Sequence, residues 1–254
     1  GNYVFLGIRR AGKSYLMYQR IHQLVKKGHT IEEILYINFE DERFIGLKSA
    51  ELDDIKLAYE ETFPYQPIFF LDEIQVVDGW EKFVRRLVDK KYRVYVTGSN
   101  SKFLSSDIVT EFRGRGDEIR IYPLSFAEFY AAFDGDYDDA WEEYMIYGGL
   151  PQVVQFSVEC QKAEYLKNIF TNVYIKDVVE RNKLRNVDEI DTLVDILASA
   201  IGAPTNPTKI SNTFKSERGI NYSNKTISNH IDYLVEAFLI SKADRYDIKG
   251  RKYV

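Results

Sequence analysis

Residues Gly7 to Ser14 read GIRRAGKS, two glycines separated by four residues and followed at once by a lysine and a hydroxyl. That is the spacing of a phosphate cradle. Gly7 and Gly12 let the backbone curl so that successive N–H groups point inward, and a helix starting behind them adds the positive end of its dipole. Such a loop suits a polyphosphate. Lys13 would reach the β and γ phosphates, the hydroxyl of Ser14 would hold Mg²⁺, and Arg9, Arg10, Ala11 and Tyr15 would complete the lining. A plain glycine turn is the alternative; the apolar run Tyr3 to Leu6 before the loop and the helical pattern Tyr15 to Val25 after it weigh against that.

A second chemical group lies further along. Ile68 to Leu71 is an apolar strand that delivers Asp72 and Glu73 to its carboxyl end, where ligands of open α/β sheets bind. This is a Walker B pattern: Asp72 would hold the metal and Glu73 would orient and deprotonate the water that attacks the γ phosphate. Another strand, Arg93 to Val96, ends in Thr97, Gly98, Ser99 and Asn100. An extra strand lies between the loop strand and the acidic strand, so this one should sit between those two, its polar tip beside the γ phosphate. Asn100, then Ser99, then Thr97 are candidates to position the lytic water, or else caps of the next helix. Arg113 and Arg115 are candidates to supply positive charge to a neighbouring subunit's γ phosphate, or else belong to a solvated loop. Glu40 and Asp41 end another strand, either touching the nucleotide from the side or forming a solvent-facing turn.

The elements that must hold these groups alternate. Strands are expected at 3–6, 34–39, 68–71, 93–96 and 118–122, with helices at 15–25, 52–62 and 80–90 and a short one after residue 101, so the sheet should be parallel. Beyond Pro123 helical signals run almost unbroken from Phe126 to Ile201, interrupted at Gly135 and at Gly148 to Pro151, where the chain reverses. The aromatic helix Tyr165, Ile169, Phe170, Val173, Tyr174 has core spacing. The Pro- and Gly-bearing stretch 202–207 is the linker. The expected organisation is an ATPase domain at 1–130, a helical subdomain at 131–204 and a third domain at 205–254.

Composition sets the outer bounds. The chain has 254 residues, 45% of them apolar, enough for a packed core. Its apolar stretches are too short to span a bilayer and no charged-then-apolar leader opens it, so it reads as cytoplasmic with no membrane partner. Cys160 is the single cysteine, which excludes an internal disulfide and suggests a buried thiol. Net charge is −5, unevenly spread: residues 205–254 hold 9 Lys+Arg against 5 Asp+Glu, a local +4 that leaves −9 to the remainder. The absence of a first Met and the stop inside an apparent strand suggest a fragment of a longer protein.

The basic segment has a pattern of its own. Thr208 to Glu217 reads as a helix, Gly219 to Ser223 as a turn, and Asn224 to Ala237 as a second helix capped by Ser223. Leu239 to Tyr246 alternates as a strand, and Arg251 to Val254 starts a return strand. Helix, turn, helix, hairpin is a winged-helix order. Lys225, Ser228 and Asn229 would enter the major groove of double-stranded DNA, while Arg245, Lys249, Arg251 and Lys252 would meet phosphates. Asp232 shares the helix face, and protein docking is the competing use.

Taken as a set, GIRRAGKS, YINFED, IFFLDEIQ, TGSNSKFLSS, FRGRG, YPLSFAEF and YGGLPQVV resemble a prokaryotic family of AAA+-like P-loop ATPases. In that family the ATPase is followed by a winged-helix region and, in longer members, by a nuclease-like domain, for which no counterpart is expected within these 254 residues. Ile8 stands where members usually carry Pro. The resemblance implies an α/β P-loop NTPase fold, a three-layer parallel sheet followed by a helical subdomain and a winged helix, with ATP bound through Lys13, Ser14, Asp72 and Glu73. The expectation is an Mg²⁺-dependent ATPase that couples nucleotide state to DNA, with a second copy of the chain, in a homo-oligomer, as a candidate partner. The rival is a nucleotide-binding scaffold without turnover; a small-molecule kinase fits poorly, because no basic lid is visible.

Overall fold

The computed structural model describes residues 1–99, 116–184 and 187–243. The first unit, Gly1–Lys162, is built on five parallel strands: β1 Asn2–Leu6, β2 Ile34–Asn38, β3 Ile68–Asp72, β4 Arg93–Gly98 and β5 Gly116–Arg120, in the spatial order β2-β3-β4-β1-β5. β4 does lie between the loop strand β1 and the acidic strand β3, pairing Leu6 with Gly98 on one side and Leu71 with Val96 on the other. β3 is buried along its whole length, as an uninterrupted apolar run in a parallel sheet should be.

Alternate residues of the central strands serve opposite faces of the sheet. On one face Phe5, Phe70 and Tyr95 pack with Met17 and Leu24 of α1, Lys13–Lys26. The rings of Phe70 and Tyr95 stack there at 4.4 Å. On the other face Phe69 meets Phe83 of α3, Trp80–Asp89, edge to face at 6.3 Å. Helices on both faces of a parallel sheet make this an α/β P-loop NTPase fold. α2 spans Leu52–Thr62. β5 begins and ends two residues earlier than its apolar pattern suggested, because pairing with β1 sets its register and its own side chains are largely exposed. The unit is completed by α4, Phe126–Ala132, and α5, Tyr137–Tyr147, each opened by a side-chain cap, Ser125 and Asp136 respectively.

The second unit, Ala163–Val254, is helical among its described residues, so the helices expected for 131–204 are divided between the two units. α6, Glu159–Ile169, runs into a π-type turn at Phe170–Ile175 and on into α7, Lys176–Asn182. Then follow α8 Val187–Ser199, α9 Pro207–Arg218 and α10 Asn224–Glu236. Ile175, Val178, Ile190, Leu193, Phe214, Ile227 and Leu234 form its core. Asn206 caps α9 and Ser223 caps α10, and Gly219 takes the left-handed φ of 67° that ends α9.

Two expectations fail here. Residues 239–243 carry no strand, and the rest of the expected wing, with Arg245, Lys249, Arg251 and Lys252, lies outside the described residues. Cys160, in the first turn of α6, is exposed rather than buried. No helix among the described residues is long and apolar enough to cross a membrane.

Candidate nucleotide site

The glycine loop bridges β1 and α1. Gly7 N–H donates to the carbonyl of Gly98 at 3.3 Å, which ties the loop to β4, while Ile121 N–H donates to Leu6 at 2.6 Å and brings the chain after β5 across it. A Cβ on Gly7 would stand 2.0 Å from the Ile121 carbonyl oxygen, so no other residue fits without moving that segment. Gly12 has φ 98° and begins α1 without a side-chain cap or an acidic residue in the first turn. The first N–H groups of the helix therefore keep their partial positive charge for an anion. This is the cradle a polyphosphate needs.

Within the loop, Arg10 takes a left-handed φ of 67°, Ala11 is buried, Ser14 is half-buried and Tyr15 is exposed. Lys13 is 4% exposed; its ammonium donates to the Ile8 carbonyl at 3.2 Å and pairs with Glu73 Oε1 at 3.2 Å. The two residues expected to handle the γ phosphate thus already meet.

At the end of β3 both oxygens of the buried Asp72 accept hydroxyl protons. Tyr36 donates to Oδ2 at 2.8 Å and Thr97 donates to Oδ1. Because the Tyr36 proton is committed to Asp72, the 2.9 Å contact between the Tyr18 and Tyr36 hydroxyls has Tyr18 as donor. Burial, and then these neighbours, push the Tyr36 phenol far above its usual range. Thr97 Oγ1 also accepts the N–H of Glu73 at 2.8 Å, which fixes the next residue in a left-handed conformation with φ 52°. Burial by itself would raise the Glu73 carboxyl, yet the Lys13 charge, the Gln75 amide and Arg9 together hold it below the usual carboxylate range. Gln75 reaches both Glu73 and, at 3.4 Å, the Ser99 hydroxyl, and its own Oε1 is buried without a hydrogen-bond partner among the described residues.

The sequence left Glu40 open between site and solvent. Its carboxylate pairs with Arg9 of the loop at 2.7 Å. Burial raises it, Arg9 opposes, and Glu73 and Asp72 add repulsion, so it shares the field of the site. Asp41 does not: it caps the short turn Glu42–Phe44 and binds Arg43. Gly148 to Pro151 does more than reverse the chain. Leu124 N–H donates to Gly149 O at 2.7 Å, and Pro151 Cγ lies 3.9 Å from where a Cβ on Gly12 would stand, so the segment packs beside the loop.

The residues expected near the γ phosphate divide. Thr97 is wholly buried and occupied as a brace for Asp72 and Glu73, which removes it as a water-positioning group; Ser99 is buried beside Gln75. Asn100, Arg113 and Arg115 lie outside the described residues. Residue patterns did not reveal Tyr36, Tyr18, Gln75 or the bracing role of Thr97, since strand tyrosines and a glutamine in a turn carry no local signature. In the second unit Lys225 and Asn229 are exposed and Ser228 half-buried on one side of α10, and Asp232 is paired with Lys242.

The donor set fits a nucleotide and a hard cation. A phosphate cradle, a lysine, a hydroxyl and a braced carboxylate are the oxygen and nitrogen partners that Mg-ATP needs.

Residues 2–130 match the model of a family described as "AAA domain", and residues 138–254 match a domain of unknown function, DUF8612. An uncharacterized protein of Haemophilus influenzae is 40% identical over 99% of this chain and 64% of its own length. Uncharacterized protein MJ1544 of Methanocaldococcus jannaschii is 35% identical over 98% of this chain and 57% of its own. The chain thus spans about three fifths of the curated relatives it matches. Among solved structures, the Aeropyrum pernix Orc1 protein in complex with DNA aligns over 99% of this chain and 81% of its own, at 15% identity and a TM-score of 0.41.

Proposed function

The chain belongs to the AAA domain family, and from that premise we propose that it binds ATP at the glycine loop and hydrolyses it with Glu73 as the general base. The observation that carries this reading is the convergence of Lys13, Asp72 and Glu73 on one end of the sheet, with both carboxylates braced. The backbone N–H groups from Gly12 to Ser14, at the start of α1, hold the phosphates in place of water, and Ser14 with Asp72 would hold Mg²⁺, which when bound neutralises phosphate charge. Lys13 then has two claimants. A triphosphate carries more negative charge than one carboxylate, so Lys13 leaves Glu73 for the phosphates. Without its counter-charge the buried Glu73 becomes more basic, which suits it to take a proton from the attacking water. Gln75 holds Glu73 by its amide N–H and offers its free Oε1 to the same water.

Asn100 completes the polar tip of β4 in this reading, and Arg113 and Arg115 serve the γ phosphate of a neighbouring copy in a homo-oligomer. Arg9, Arg10, Ala11 and Tyr15 line the nucleotide. The second unit acts as a DNA-binding module through Lys225, Ser228 and Asn229 of α10, where the acid Asp232 is paired with Lys242, aided by Arg245, Lys249, Arg251 and Lys252.

Phosphate release from Mg-ATP tests the enzyme reading: Lys13→Ala and Glu73→Gln should each abolish it, and unchanged turnover in both refutes it. If ATP raises the melting temperature while phosphate release stays at background, the scaffold reading replaces it. Duplex DNA should be retarded at low salt and released as salt rises; no retardation at low salt removes the DNA assignment.

A further inference from the structure

Residues 121–161 contain eight Asp+Glu and no Lys or Arg. Within this acidic stretch α4 and α5 meet through aromatic rings: Phe126 stands 4.8 Å from Trp141 and 5.2 Å from Tyr137, and Tyr130 stands 5.6 Å from Tyr137. Phe129, fully buried beneath them, anchors the cluster. Its outer surface is open. Tyr137, Trp141 and Met145 fall at every fourth residue of α5, on one side of the helix, and are 55%, 46% and 66% exposed; Tyr130 joins them from α4 at 40%. Asp134, Asp138, Asp139 and Glu142 are exposed around the same helix. Large exposed rings on one face mark an interaction surface, and tyrosine and tryptophan are the side chains that most often dominate one.

Charge decides the occupant. A ring face carries a negative quadrupole and the surrounding carboxylates add full negative charge, so the face repels a polyanion and attracts a cation that can stack. The chain uses this chemistry for itself on the same helix: Lys162, buried at the start of α6, pairs with Glu143 and lies 5.5 Å over the ring of Tyr147, both on α5. We propose that the exposed aromatic face of α4 and α5 docks a Lys- and Arg-rich segment of a protein partner, whose cationic side chains stack on Tyr137 and Trp141 while the acids of α5 pair with its charges.

The full chain and a short peptide of alternating Arg and Gly test this directly. Of the two tryptophans, Trp80 is buried at 3% and Trp141 is exposed, so quenching reports on the proposed face. Saturable quenching is expected, with affinity falling about tenfold as salt rises through the Debye range from roughly 0.05 to 0.5 M. Asp138→Lys with Glu142→Lys should weaken binding about tenfold, and Asp54→Lys with Glu61→Lys on α2, the same change in net charge, should leave it within about twofold. Trp141→Ala, followed by anisotropy of labelled peptide, should cost about tenfold while circular dichroism stays that of the parent. Absence of saturable binding overturns the proposal, as does an equal loss in the two charge-reversed variants. Sedimentation as a dimer that the α5 variants dissociate would give the face to a second copy, and binding of a single-stranded oligonucleotide lost in Trp141→Ala would give it to nucleic acid; either overturns it too.

Discussion

Thr97→Val is the sharpest test of how the two carboxylates are held. Valine has the shape of threonine without its hydroxyl, and Thr97 is wholly buried, so the change removes two hydrogen bonds and little packing. One is the donation to Asp72 and the other the acceptance from Glu73 N–H at 2.8 Å. A hydrogen bond to a charged group contributes about 1.5–3 kcal/mol, and a buried N–H left without an acceptor costs about 1–3 kcal/mol. Together they predict a loss of roughly 3 kcal/mol, or a fall of roughly 6–12 °C in melting temperature for a unit of this size. Thr97→Ser keeps the hydroxyl and loses one methyl, about 1 kcal/mol and a few degrees. Scanning calorimetry of the two variants, followed on the transition of residues 1–162, gives the comparison. Turnover should follow the same order, because Glu73 without its backbone anchor shifts relative to the water, and such misplacement costs about 10²-fold. If valine and serine variants melt within about 2 °C of each other, the brace is not what orders the site.

Other predictions follow from neighbouring contacts. Tyr36→Phe takes one of two hydroxyl donors from Asp72 and should weaken the Mg²⁺ dependence of phosphate release about tenfold, as loss of an outer-shell partner commonly does; an unchanged Mg²⁺ titration counts against it. Gly7→Ala should lower the melting temperature and abolish nucleotide binding, since its Cβ would lie 2.0 Å from the Ile121 oxygen; calorimetry with and without ATP checks both. The Glu73 carboxyl is held below its usual 4.5 by Lys13 and Gln75 against the pull of burial. Its contribution is therefore complete above that value and lost as pH falls through the lower folded value, a slope that Lys13→Met should reverse in acid unfolding curves. His230 is lowered from 6.5, chiefly by burial and in part opposed by Glu189. A base with a depressed folded value stabilises above the unfolded one, so the second unit should weaken as pH falls below 6.5 and through the lower folded value, and His230→Gln should flatten that slope.

The legible part of this chain was whatever a short window of sequence contains. β1, the loop and α1 follow one another within the first 26 residues, and β3 ends directly on Asp72, so pattern and chemistry coincide. The place of β4 between β1 and β3 was also accessible, because the number of strands separating loop and acid defines the class. Contacts across the sheet were not. Tyr36 and Thr97 lie 36 and 25 residues from Asp72, and a tyrosine alternating in a strand signals packing whether or not its hydroxyl has a task. Gln75 sat unremarked in IFFLDEIQ for the same reason, and Glu40 became part of the site only through Arg9. β5 was displaced by two residues because GDEIR has almost no apolar pattern to fix a register. At 239–243 the converse holds: an alternating pattern is present and no strand is.

The strand order also dictates when the site can exist. β1 precedes its two partners in the chain by about ninety and more than a hundred residues, yet it lies between them. During synthesis β2, β3 and β4 can associate first, while the apolar Val4, Phe5 and Leu6 wait unpaired with the glycine loop behind them. Non-local parallel pairing of this kind is slow, and an unpaired apolar strand is exposed to the wrong neighbours until it closes. The nucleotide loop, although made before β2, β3 and β4, is thus among the last to be assembled. ATP that binds the closed loop would favour insertion of β1 as the final step of the sheet.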